Sequence, residues 1–279
     1  MTLSKLLRAG PEPRLAEIDS RSTPGFVGDK IAGEAALAEL TEPLAGAQEQ
    51  LFAEGVTGGN RSLLVVLQGM DTSGKDGTIR KVVGMVDPQG VRITAFKRPT
   101  AEELAHDFLW RIRKRLPEPG LIGVFNRSHY EDVLIVRVHD LVPRDVWERR
   151  YDAINDFEAE LTASGTKVVK LFLHVSKQDQ EERLLARLED PTKHWKFEEA
   201  DLNERRHWDA YQEAYETVLA RCNPDSAPWY VVPAGRKWYR NWAVATLLLE
   251  ALSEMKPRWP DPGLDVERLR TRLKTETAL

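Results

Sequence analysis

The chain has a single cysteine, Cys222, so no intrachain disulfide can staple it, and a lone thiol fits a reducing compartment. It has no run close to the roughly 20 apolar residues that a membrane-spanning helix needs. The opening stretch, MTLSKLLRAG, lacks the long apolar segment of a secretory signal. A cytoplasmic protein without membrane contact is the expectation. Positive charge is not in excess: 40 Lys and Arg against 44 Asp and Glu leave a net charge of −4. Bulk charge therefore gives no support for a polyanionic partner. Internal repeats, heptad arrays and low-complexity tracts are missing too, which excludes solenoid and coiled-coil readings. What is there is 42% hydrophobic and 30% charged residues, the balance of a globular protein with many amphipathic faces.

The stretch that organises the rest is LLVVLQGMDTSGKDG, residues 63–77. Leu63 to Leu67 form a short, branched apolar run of the kind that makes a buried strand. The run stops at Gly69, Gly74-Lys75 follow, and Ile79, Val82, Val83 and Val86 then recur at helical spacing. Strand, glycine-bounded loop and helix are the context of a phosphate-binding loop, in which backbone N–H groups, a helix N-terminus and Lys75 supply positive charge. An ordinary βα turn with a surface lysine is the plainer alternative. Asp76 stands where the usual loop has a Ser or Thr magnesium ligand, and Asp71 lies inside the loop. Carboxylates so near a phosphate cradle repel the ligand unless a divalent cation lies between them. The pattern predicts a metal-assisted phosphoryl-transfer site unlike that of an ordinary GTPase or ATPase.

Charge is also unevenly spread. Between Lys75 and Arg115 stand ten Lys or Arg and five Asp or Glu, a local positive field inside an acidic chain. A solvated helix face accounts for part of the Arg111–Arg115 cluster.

Residues 1–28 read as an irregular arm, and 29–54 as one amphipathic helix with a kink at Pro43. Further strands are expected at 91–96, 121–125, 168–175 and 229–234, and helices at 101–116, 143–163, 178–190, 200–221 and from 235 to Met255. Alternating strands and helices predict an α/β fold: a five-stranded, mostly parallel sheet covered on both faces. Ligands gather at the carboxyl ends of such strands, which brings Asn126, Arg127, Glu131 and Asp132 to the loop, although Ser128 or Asn126 would also serve as a helix cap. Residues 182–208 read as a helical lid carrying Arg183, Arg187, Lys193, Lys196, Arg205, Arg206 and Trp195, with a solvated helical hairpin as the plainer alternative. The division is an N-terminal arm and helix (1–60), a core with the lid (61–256) and a peripheral tail (257–279).

Five segments in this order, GMDTSGKDG, FKRPTAEELAHDFLWR, FNRSHYEDVL, DPTKHWKF and VPAGRKWYRNWAVA, resemble the motifs of the polyphosphate kinase 2 family over roughly residues 61–252. The form FNRSHYED is similar to the family's class III. The resemblance implies a P-loop kinase-like three-layer sandwich with a helical lid. It also implies reversible, Mg²⁺-dependent transfer of the terminal phosphate of inorganic polyphosphate to AMP and ADP, with Mn²⁺ as a possible substitute metal and guanine nucleotides as possible acceptors. Homodimers or homotetramers are usual in the family. A basic track would also suit nucleic acid, but the sequence has no recognised nucleic-acid-binding motif, so none is expected as a partner. On this resemblance Asp71, Lys75, Asp76, Arg127 and Asp132 would be catalytic, with Asp71 and Asp132 on the metal. Gly69, Met70, Thr72, Ser73, Gly74 and Gly77 would hold phosphates. Lys81, Arg183, Arg187, Lys193 and Lys196 would track the polyphosphate. Lys97, Arg98, Thr100, Asp107, Asn126 and Glu131 would line the nucleotide side, Glu131 being tied to acceptance of AMP as well as ADP. An ATP-dependent nucleoside monophosphate kinase and a non-catalytic polyphosphate or nucleotide sensor are the alternatives.

Overall fold

The computed structural model describes residues 1–276; the last three residues of the expected tail lie outside the described residues. The Ser62–Gln68 strand (β1) is buried along its whole length. This explains its unbroken apolar run: a strand inside a parallel sheet has no solvent face. Around it stand β2 (Val91–Ala95), β3 (Ile122–Asn126), β4 (Thr166–His174) and β5 (Trp229–Pro233), in the order β2-β3-β1-β4-β5. Every pairing is parallel, with Leu63 opposite Ile122 on one side and Lys167 on the other. The chain leaves β1 toward the β2 edge, returns through β3 and crosses to β4. That makes the carboxyl end of β1 and β3 the point where the winding reverses and a crevice opens.

Several expected helices are divided. The one expected over 29–54 is two helices, Lys30–Glu39 and Thr41–Val56, that meet at Leu40. Pro43 lies in the first turn of the second, where its missing N–H costs nothing, so it causes no kink. The helix expected over 101–116 is two short turns, Ala101–Leu104 and Trp110–Arg113, and the one over 200–221 breaks at His207. The N-terminal residues are not simply an irregular arm. Leu3, Leu7, Ala9 and Leu15 join the core. Ala9 N–H donates to the Trp229 carbonyl at 2.9 Å and Arg8 bridges Tyr230, which covers the free edge of β5. The Lys30–Glu39 helix packs Gly33 flat on the Trp238 ring, where a Cβ would overlap it.

Asp179, at the start of the Lys177–Glu189 helix, ties this arm down. It accepts from Ser20 Oγ (2.5 Å), Arg21 Nε (2.7 Å) and Ser176 N–H (3.1 Å). Burial pushes its carboxyl up, but the bonds from Ser20, Ser176 and Arg21 outweigh it and hold the group at about 2, against 3.8 ordinarily. A carboxyl depressed in the folded state contributes stability above its unfolded value that is lost as pH falls through the folded one. The stability difference between wild type and Asp179→Asn is therefore expected to be full above pH about 4 and to vanish toward pH about 2. Urea melts at stepped pH measure it; a difference independent of pH would contradict the assignment.

Candidate active site

Beyond β1 the chain turns at Gly69 (φ +146°), where a Cβ would sit 2.6 Å from the Leu173 carbonyl oxygen. Thr72 is left-handed (φ +66°), and Gly74 (φ +105°) caps the Lys75–Lys81 helix with the Arg240 guanidinium against its Cα. Lys75 folds back into this ring and donates to the carbonyls of Gly69 (2.7 Å) and Met70 (3.3 Å). Burial, then repulsion from Arg127, lowers its ammonium to about 8, with Asp71, Glu131 and Asp76 opposing. Ser73 is fully buried beneath the loop, and the Thr72 and Ser73 hydroxyls have no protein partner.

The end of β3 answers the end of β1. Arg127 N–H donates to the Leu67 carbonyl at 3.0 Å, and its left-handed backbone (φ +62°) turns the side chain back over the loop. Its guanidinium reaches Asp71 at 2.9 Å and Glu131 at 3.7 Å. Glu131 first, and Asp71 after burial's opposing effect, raise the guanidinium's affinity for its proton. Asn126 donates to Asp76 at 2.7 Å, so both loop carboxylates are held by donors from the neighbouring strand end.

Two cavities flank this junction. The larger, ≈ 1370 Å³, is lined by Thr72, Gly74, Lys75, Asp76 and Gly77 of the loop, and by Lys81, Lys97, Arg98, Asn126 and Arg127. Arg183, Arg187, Lys193 and Lys196 reach it from the lid segment, so the lysines and arginines expected on the polyphosphate and nucleotide sides face one cleft. The smaller, ≈ 210 Å³, takes in Gly69, Met70 and Glu131 together with Asp201, Tyr211 and Tyr215; Asp71 and Arg127 border both.

Five expected residues are tied up within the protein. Asp132 borders neither cavity. It is buried between Arg150, which donates to its Oδ1 at 3.3 Å, and Arg111 at 3.6 Å, and burial pushes its carboxyl up to about 6 against both arginines. It lies with Glu131 in the 3₁₀ turn His129–Val133, whose threefold winding sends adjacent side chains to different sides. Thr100 and Asp107 cap turns and border neither cavity: Thr100 Oγ1 accepts from Glu103 N–H (3.2 Å), Asp107 from Leu109 N–H (2.9 Å). Arg183 is not a free lid cation. It donates to the carbonyls of Thr72 (2.8 Å), Ser73 (3.1 Å), Ala234 and Gly235 (3.1 Å), tying the phosphate loop to the end of β5. Arg205 likewise bonds its own segment, through the Lys177 carbonyl at 2.7 Å.

The cleft also holds residues that the sequence reading passed over. Lys237 and Arg240 follow β5, and the strand-end rule that singled out Arg127 would have found them in GRKWYR. Burial, then Arg183, lowers Arg240 to about 10; Lys237 is lowered by burial and by Arg183, Arg240 and Lys193. These cations repel one another, the electrostatic state of a site built for an anion. Asp201 carries no such sequence mark. Its carboxyl is raised by burial and then by the Asp71 carboxylate, while Arg187 stands 3.4 Å away. Among the described residues no three His, Cys, Asp or Glu form a closed metal cage. Mg²⁺ needs none: it binds through one or two carboxylates plus substrate phosphates. Asp71, bordered by Asp76 on one side and Asp201 on the other, fits that donor set.

Fold, loop and basic cleft together define a phosphotransferase of the P-loop kinase class. The polyphosphate kinase 2 family model matches residues 28–260, and the chain belongs to that family. It is 48% identical to the AMP/ADP-polyphosphate phosphotransferase of Meiothermus ruber, over 95% of this chain and 98% of that one. It is 44% identical to the ADP-polyphosphate phosphotransferase of Rhodopseudomonas palustris, over 79% of each. The crystal structure of polyphosphate kinase 2 from Arthrobacter aurescens superposes with a TM-score of 0.96 at 50% identity, over 99% of this chain and 97% of that one.

Proposed function

We propose that the protein transfers the terminal phosphoryl group of inorganic polyphosphate, reversibly, to AMP and ADP, making ADP and ATP. The observation that carries this reading is the cleft itself, in which Lys193, Lys237 and Arg240 crowd together beyond the phosphate loop. A linear polyanion with no base to recognise needs a long cationic track of this kind rather than an adenine pocket. The named activities of the Meiothermus and Rhodopseudomonas relatives point the same way.

Phosphoryl transfer asks the protein mainly for positioning and charge stabilisation. The loop N–H groups and Lys75 would hold the phosphoryl group in flight. Arg127, aimed at the border of both cavities, would neutralise charge as it spreads over the equatorial oxygens. Asp71, with Asp76 and Asp201, would hold Mg²⁺ or Mn²⁺, which when bound screens the phosphates from these carboxylates. Glu131 borders the smaller cavity, where it would act on the choice between AMP and ADP. Guanine nucleotides as further acceptors, a homodimer or homotetramer and a cytoplasmic setting belong to the same proposal.

The donor tests it. Polyphosphate with AMP and Mg²⁺ should yield ADP rapidly, while ATP with AMP and no polyphosphate should yield little. The reverse pattern would make the protein an ATP-dependent nucleoside monophosphate kinase. Tight binding of polyphosphate without turnover would make it a sensor.

A further inference from the structure

A second charged assembly lies beneath the site, touching neither cavity. Glu158, on the Arg144–Ala163 helix, and Lys170, in the middle of β4, are both fully buried and paired at 2.5 Å. Lys170 Nζ also donates to Tyr130 Oη (2.9 Å) and the Cys222 carbonyl (2.7 Å). The Tyr130 hydroxyl donates to Glu158 Oε1 at 2.8 Å, and His129 Nε2 lies 3.2 Å from the same oxygen. Burying two charges costs several kcal/mol per ion, and an apolar pair of the same volume is often equally stable or better. Stability alone does not account for the set.

Its partners do. His129 and Tyr130 occupy the turn between Arg127 and Glu131, the two residues aimed at the reacting phosphates and at the smaller cavity. Arg127 has the left-handed backbone that a bulky residue keeps only when its surroundings over-determine it. On its near side the turn is pinned through Ser128 Oγ, which accepts from Gln68 Nε2 and Tyr130 N–H, each at 3.2 Å. On its far side Arg150 donates to the Asp132 carbonyl at 3.0 Å. Between these, the side chains of His129 and Tyr130 reach down to the Arg144–Ala163 helix, and both end on Glu158.

We propose that Glu158, Lys170 and Tyr130 are positioning residues, which hold the 127–131 turn so that Arg127 meets the transferring phosphoryl group in register. The inference rests on the phosphotransfer reading above. The polyphosphate-binding cations lie on other elements, so the device should govern kcat and leave the donor KM alone.

Two variants test it, with polyphosphate and ADP as substrates. Glu158→Leu/Lys170→Met replaces the ion pair by apolar side chains of similar size; Tyr130→Phe removes one hydroxyl and keeps the ring in the core. The double variant is expected to melt within a few degrees of wild type, with kcat down tenfold or more and the polyphosphate KM within twofold. Tyr130→Phe should lose threefold or more in kcat with the same unchanged KM. A folded double variant with kcat within twofold of wild type would overturn the proposal, as would a loss confined to KM. If the double variant does not fold, Tyr130→Phe decides alone, and a wild-type kcat there overturns it. An inactive wild-type protein would instead remove the functional reading, before any variant is compared.

Discussion

Arg127→Ala should lower kcat by roughly three orders of magnitude or more, the scale seen when a phosphoryl-transfer site loses the arginine that neutralises its transition state. The polyphosphate KM should change far less, because the track cations Lys193, Lys237 and Arg240 remain. Arg127→Lys should recover little. The guanidinium spans Asp71 at 2.9 Å and Glu131 at 3.7 Å with different nitrogens, and an ammonium is a point charge that cannot make both contacts in one plane. Steady-state kinetics with ADP as acceptor measure both effects. A lysine variant within tenfold of wild type would mean that Arg127 supplies bulk charge rather than geometry.

Lys75→Met is expected to abolish turnover, with a fall of about 10²–10³ or more in kcat, and yet to leave the protein as stable as before or more so. The sign follows from the lysine's own environment. Its ammonium is held at about 8 in the folded chain against 10.5 ordinarily, so the unfolded chain binds that proton more tightly. The resulting cost to folding is full below pH about 8 and fades as pH approaches about 10.5, where Lys75 is neutral in both states. Methionine fills the same space without a charge. A thermal midpoint unchanged or raised at pH 7, together with lost activity, is the expected pair of results. A lower midpoint would mean that the bonds from Nζ to the Gly69 and Met70 carbonyls hold the loop more than the buried charge strains it.

Where a residue's role is local, the sequence made it legible. Leu63 to Gly77 could be read as strand, loop and helix because each part depends on neighbours within a few positions, and β1, β3 and β5 fall where the apolar runs predicted. Asn126, Arg127 and Glu131 were found by the strand-end rule alone. Errors came where local chemistry and tertiary packing compete. Asp107 interrupts the helical periodicity of 101–116 by capping Leu109, a bond that hydrophobic spacing does not register. Arg111, in a cluster read as a solvated face, is buried and donates to the Lys97 carbonyl at 2.9 Å. Arg183 sits in a run of charges whose register on the lid could not be fixed from spacing, and only the fold brings it to the carbonyls of Thr72 and Ala234. Asp201 meets Asp71 across 130 positions of chain, and no pattern in either segment announces the other. The Asp132 carboxylate pairs with Arg111 and Arg150, two cations from distant segments that its own turn does not announce.

The most direct test of the central claim is a time course of nucleotides formed from AMP with polyphosphate and Mg²⁺, resolved by chromatography. ADP is expected first and ATP after it, from one folded protein with no ATP supplied. Folded protein that forms no higher nucleotide from AMP or from ADP would contradict it.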